Sequence, residues 1–387
     1  MPLAMALANR SSPLVVGLAA LLFLAAALAD DPSDALGRLV RPLVTPVGLA
    51  ALGFLGWCAV SVAWSPFPAA SGRSAGEFLP TLAAAYILAR LAPGRLPPFA
   101  APLAAAAIVL ASLWIVVGLA AGLPVQRALG MRVADFVFNR PALTLLLVAG
   151  PLALVLARRG RRLAGAAVLA FGAAGILRSV SGAAAMGLIA GTAMVLAARL
   201  LPARLGSGLA GLGLGCAVAL APIEGDLLRR VMPEAAHERL VQSSSRARVA
   251  IARSFGAAVA ADPWRGAGYG VSGRFAETPV AQRVEPEMRD MLAVGHPHNS
   301  FLQVWAELGI VGAGLAMAVL LLTLRALAAW QATERAAALG LTAAAAAVAF
   351  VEHGAWQAWW TAGLGAAISW LREAARPQPL SDRRDSP

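Results

Sequence analysis

Lysine is absent from this 387-residue chain, and all 32 of its basic residues are arginine. Charge of either sign is sparse, at 13% of residues, against roughly 25% in a soluble globular domain. Cysteine is limited to Cys58 and Cys216, both in apolar stretches with no His or Cys at metal-ligand spacing, so buried packing is their expected role. Without lysine there is no P-loop. Gly266-Ala267-Gly268-Tyr269-Gly270, which follows no strand pattern, therefore reads as a turn and not a nucleotide loop.

Apolar sequence dominates: 59% of residues are hydrophobic and the mean hydropathy is +0.72. That composition describes an all-α, polytopic integral membrane protein. The formal charge of +12 does not point to nucleic acid, because the arginines lie between apolar segments and no basic face with interleaved aromatics exists. Membrane topology and anionic lipid fit that pattern.

A spanning helix needs about 20 mostly apolar residues. The expected spans are approximately 13–29, 43–64, 76–92, 98–122, 141–157, 163–178, 181–201, 207–223, 301–329, 335–352 and 355–371. The first is followed by Asp30-Asp31-Pro32, a weak cleavage context, so it reads as a membrane helix. The chain divides into an N-terminal helix bundle (1–223), a polar loop (224–299), closing helices (300–372) and a short tail (373–387). Arg158-Arg159-Gly160-Arg161-Arg162 is the strongest cytoplasmic marker, and counting from it puts the loop in the periplasm and the tail inside. Backward counting leaves the N-terminus outside.

The polar loop holds nine of the 20 acidic residues and three of the four histidines. Ser243-Ser244-Ser245 offers helix caps, and a helix is expected from about Arg246 to Ala261, stopped by Asp262-Pro263. At about 100° per residue, Arg248, Ala252, Phe255 and Val259 share one face, with Arg246 and Arg253 roughly opposite. Arg248 therefore needs an anionic partner, from the protein or from a ligand. At the loop's end His296-Pro297-His298-Asn299 sets two imidazoles, which titrate near neutrality, where water meets hydrocarbon. Elsewhere, His237 reads as a solvated loop residue, His353 with Glu352 as a structural pair or as a lining of the site, and Trp356, Trp359 and Trp360 as an interfacial belt.

The stretch from His298 onward resembles the signature of the O-antigen ligase and O-antigen polymerase family. His298 and Asn299 are followed by nine residues, Ser300 to Leu308, and then Gly309-Ile310-Val311-Gly312. Trp64-Ser65-Pro66 with Ser71, and Phe136-Val137-Phe138-Asn139, resemble further turns of that family. The resemblance implies about twelve helices with both ends inside, in the architecture of C-type membrane glycosyltransferases. It implies transfer of a glycan from undecaprenyl diphosphate to a sugar hydroxyl on the periplasmic face of the bacterial inner membrane. His298 becomes the general base, supported by His296 and Asn299. Arg248, matched by its distance to Pro263, and Arg178 become the diphosphate ligands. Here the chain departs from the family pattern, since Arg178 precedes the serine and Ser181-Gly182 has no Arg between. No metal and no cofactor are expected. The acceptor is lipid A–core for a ligase, or a second lipid-linked glycan for a polymerase. A non-enzymatic lipid-glycan transporter would also need the arginines, but not a histidine base.

Overall fold

The computed structural model describes residues 1–233, 235, 238, 245–352 and 354–377. His237, His353, Ser243 and Ser244 lie outside the described residues. Among those described there is no strand, and the regular structure is helical. The long helices are α1 (Ser12–Asp30), α2 (Pro46–Ser61), α3 (Pro68–Leu91), α4 (Ala100–Ala120), α5 (Asn139–Arg158), α6 (Arg162–Arg178), α7 (Gly182–Leu200) and α8 (Ala203–Ala219). After them come α9 (Glu224–Val231), α10 (Ser245–Ala261), α11 (Ser300–Leu327), α12 (Ala332–Val351) and α13 (Ala358–Ala374).

Each expected span coincides with one of these helices. Among the described residues, seven helices or helix runs are long and apolar enough to cross a membrane unaided, and α8 joined to the helix run Ala221–Val231 across a 55° bend makes an eighth candidate. Satisfying every backbone group internally is what makes helices the form for such sequence in lipid. Helix α3 starts well before its apolar run, because Pro68 occupies a first-turn position where a missing N–H costs nothing.

Close packing follows small residues. Helices α7 and α12 run antiparallel, with Gly187 against Val348 and Ala344, and Gly191 against Ala344 and Gly340. Side chains at those glycines would overlap the facing helix, which is how two backbones approach this closely in lipid. Most of α5 is buried, including Leu143, Leu145, Leu147 and Leu152, so it forms the centre of the bundle. Cys58 is buried as expected, whereas Cys216 is exposed on α8. Trp359 and Trp360 are buried, so they pack the bundle instead of forming an interfacial belt.

Two faces emerge from the pairings. Arg158 at the end of α5 pairs with Glu334 in the first turn of α12, and Arg159 meets Glu373 of α13 at 2.9 Å. Helix α11 begins beside the histidines and ends at the turn leading into α12, so this arginine-rich end lies on the face opposite the histidines. Ser12 at the start of α1 donates to the Trp359 carbonyl at 3.0 Å, close to where α13 starts. That puts the start of α1 on the histidine face, in keeping with the loop count and not with both ends inside.

Candidate active site

The histidine turn is built by backbone the sequence alone hardly suggests. Gly295 takes φ 97° and His298 φ 54°, one of two non-glycine residues with positive φ among the described residues. A left-handed histidine is uncommon and requires support. The support comes from Asn299, which is buried and caps α11, its Oδ1 accepting from the amides of Phe301 (2.8 Å) and Leu302 (3.2 Å). Its Nδ2 donates to the Glu224 carboxylate at 2.5 Å. Glu224 is buried and begins α9 beyond the 55° bend.

The two imidazoles face each other, with ring centroids 4.2 Å apart. The His298 amide donates to Nδ1 of His296 at 3.1 Å, so that nitrogen is an unprotonated acceptor. Burial, with His298 and Arg248 nearby, pushes His296 down to about 4. The amide-to-ring bond folds His296 back over His298 across Pro297. The His298 ring is hydrogen-bonded to the backbone of Glu352, whose only acceptor there is its carbonyl oxygen. Burial foremost, then the Arg248 charge, lowers the His298 pKa, while the Glu352 carbonyl and carboxylate oppose them. A neutral imidazole that donates through one nitrogen presents a lone pair on the other.

Arg248 projects from α10, whose other face positions behave as the periodicity requires: Ala252, Phe255 and Val259 are buried. Its anionic partner is Glu352 at the end of α12, with Nη2 3.4 Å from the carboxylate. Arg246 is exposed, and Arg253 pairs with Asp226 at 2.9 Å. Arg248, His296, His298 and Glu352 thus form one charged cluster. Arg178 is not in contact with it. From the α7–α12 register (Gly187 beside Val348), the residue facing Glu352 lies near Ala183, so Arg178 ends α6 on the same face, exposed.

Beneath this cluster lies a carboxylate that sequence reasoning passed over. Glu307 is fully buried. Its Oε1 accepts from the Ser272 amide (3.1 Å), the Ser272 hydroxyl and Gln303 Nε2 (2.9 Å). Its Oε2 accepts from the Gly270 amide (2.6 Å) and Trp356 Nε1 (2.7 Å). The same helix breaks at Gly309, with φ 63° and ψ −163°. A Cβ there would lie 2.3 Å from the Trp264 carbonyl oxygen, and one at Gly266 would lie 2.6 Å from Glu307 backbone. The glycine-rich loop therefore lies backbone-on-backbone against the break, with Gly268 N–H donating to the Glu307 carbonyl at 2.8 Å. Its amides are spent on the protein, which makes it a turn as expected. The Trp-Ser turn holds the loop from the far side: Ser61 Oγ accepts from the Tyr269 amide (3.0 Å), and Ser71 Oγ donates to the Tyr269 carbonyl (2.6 Å).

The His-Asn pair, the glycine break after nine intervening residues and the buried glutamate between them therefore act as one unit. A family model described as O-antigen ligase matches residues 165–317. Residues 165–317 belong to the O-antigen ligase family. The ligase-family segment contains Arg178, Glu224, Arg248, His296, His298 and Glu307, and it stops before Glu352 and Trp356. No curated protein matches the chain. Two contributors to the site thus come from beyond the ligase-family segment, and proximity in the fold is the signal that finds them. Glu307 was visible only as the Glu of Glu-Leu-Gly, and Glu224 only as an acid closing an apolar run.

Proposed function

We propose that this protein is a glycosyltransferase that moves a glycan from undecaprenyl diphosphate to a sugar hydroxyl at the histidine face, which faces the periplasm. The observation that carries the reading is the His298 imidazole, held by the Glu352 backbone beside Arg248, with a pKa lowered by burial and by that guanidinium. A base of this kind is neutral at pH 7 and ready to accept a proton. Its neighbour is the side chain best suited to a diphosphate, planar, permanently charged and able to donate two hydrogen bonds at once.

In the proposed reaction the acceptor oxygen forms a bond to the anomeric carbon as the carbon–oxygen bond to the diphosphate breaks. The electron pair leaves with the diphosphate, stabilised by Arg248 and by Arg178 at the same face. The acceptor proton passes to His298. Attack opposite the leaving group inverts the anomeric centre. Guanidinium groups supply the positive charge, so the step is written without a metal. A diphosphate arriving at Arg248 competes with the Glu352 carboxylate, which makes Glu352 a gate on donor binding.

The test is a lipopolysaccharide gel from a strain lacking the protein. Full-length polymer no longer joined to lipid A–core supports a ligase. Single capped repeat units move the acceptor to a second lipid-linked glycan, and an unchanged gel overturns the reading.

A further inference from the structure

On the face opposite the histidines, three arginines gather around one tyrosine. Arg38 lies in the short helix Pro32–Val40, Arg90 closes α3 and Arg372 closes α13. Arg372 lies within electrostatic reach of Arg90, Tyr86 and Arg38, and Arg90 within reach of Tyr86 and Arg38. Tyr86, one turn before Arg90, donates to the Leu39 carbonyl at 2.6 Å and ties α3 to the short helix.

The carboxylates nearby are occupied. Asp34 takes Arg38 at 3.0 Å and stands 3.9 Å from Arg95, while Asp30 takes Arg95 at 3.2 Å. Glu373 faces Arg159 and Arg376, and accepts from the Gly94 amide at 2.7 Å. Arg90 Nε is left to a backbone oxygen, the Arg38 carbonyl at 3.1 Å. Arg372 Nε is buried and has no hydrogen-bond partner among the described residues. Like charges held together repel, and a buried donor without an acceptor costs free energy. Both costs vanish if an anion sits among them.

We propose that Arg38, Arg90 and Arg372 form a binding site for the phosphate of an anionic phospholipid. The cluster stands at the ends of membrane helices, at headgroup depth, where basic pockets between helices take lipid headgroups. Tyr86 is a residue type suited to that interface. The guanidinium forks match phosphodiester oxygens. This site is separate from the transfer reaction and does not depend on it.

The test uses the full chain purified in a neutral detergent, with binding of phosphatidylglycerol and phosphatidylcholine followed by native mass spectrometry. Phosphatidylglycerol should bind at least about tenfold more tightly than phosphatidylcholine, given the gain per basic residue near an anionic lipid. The double variant Arg90→Gln/Arg372→Gln should lose that preference, and Arg90→Lys/Arg372→Lys should keep part of it. Arg372→Gln alone should unfold at the same temperature as wild type or higher without lipid, because it removes repulsion and an unmade hydrogen bond. An unchanged preference in the double glutamine variant overturns the site. So does displacement of the lipid by inorganic phosphate at equal concentration, which would make it a site for free anions. Loss of the preference on Arg246→Gln, an exposed arginine of the other face, would also overturn it.

Discussion

Replacing Glu307 by glutamine is the substitution whose cost the structure fixes most tightly. The carboxylate is fully buried and its two oxygens share five donors, three on Oε1 and two on Oε2. Glutamine has nearly the same shape but replaces one oxygen with an N–H donor. Turned one way, its nitrogen meets the Gly270 amide and the Trp356 indole; turned the other way, it meets the Ser272 amide and Gln303 Nε2, donor against donor in either case. At about 1.5–3 kcal/mol for each hydrogen bond to a charged acceptor, the loss is roughly 3–6 kcal/mol. That is a large part of a typical folding stability of about 5–15 kcal/mol. Trp356→Phe removes one donor and leaves Oε2 still held by Gly270, so it should cost less, and Ser272→Ala less than Glu307→Gln as well. Thermal unfolding in detergent, read by size exclusion, gives the order. A Glu307→Gln protein as stable as Ser272→Ala would refute the reasoning, because the shared donors would then contribute little.

Other expectations concern the histidine face. His296→Ala removes the acceptor for the His298 amide, and one neutral hydrogen bond of about 1 kcal/mol corresponds to a fall of about fivefold in kcat with KM little changed; an unaltered kcat would make the ring-to-amide bond incidental. Arg248→Lys loses the planar fork and should cost at least about tenfold in transfer activity, while Arg246→Lys, on an exposed side chain, should cost far less; the reverse order would move the anion site to the other face of α10. The pH–rate profile should fall on its acid side at a pH below the ordinary histidine value, since the rate is lost as His298 takes up a proton and its pKa is lowered by burial and Arg248. In Arg248→Gln the residual activity should show that limb moved to higher pH, because one of the two depressing causes is gone, and in Glu352→Gln to lower pH; a limb that stays fixed in both would separate His298 from the pair.

Much of this architecture is legible in one sequence because lipid allows few alternatives. Runs of alanine, leucine and glycine long enough to cross a bilayer fold as helices, and Arg158 to Arg162 marks one face whatever the tertiary structure. The periodicity of α10 identifies Arg248 as the arginine on the apolar side, since Ala252, Phe255 and Val259 have nowhere else to point. What stays hidden is everything that joins distant segments. Glu352 meets Arg248 across 104 positions, and no local pattern encodes that pairing. Glu307 looks like one more residue of a motif until five donors are seen to converge on it. The left-handed turn at His298 is equally invisible, because its support comes from Asn299 anchored to Glu224, 75 positions earlier. Trp359 and Trp360 mislead for a related reason: tryptophan near a helix start suits an interface, but here α1 and α5 cover it.

The central claim is that His298 accepts the proton from the sugar hydroxyl. Its most direct test is glycan transfer by purified His298→Ala in lipid, beside wild type, with lipid-linked donor and acceptor both supplied. Removing a general base lowers the rate by about 10²- to 10⁴-fold, and binding of the diphosphate donor should persist through Arg248. The account therefore predicts a protein that inserts and unfolds as wild type does, binds donor, and transfers at least about a hundredfold more slowly. Transfer by His298→Ala at the wild-type rate would contradict it.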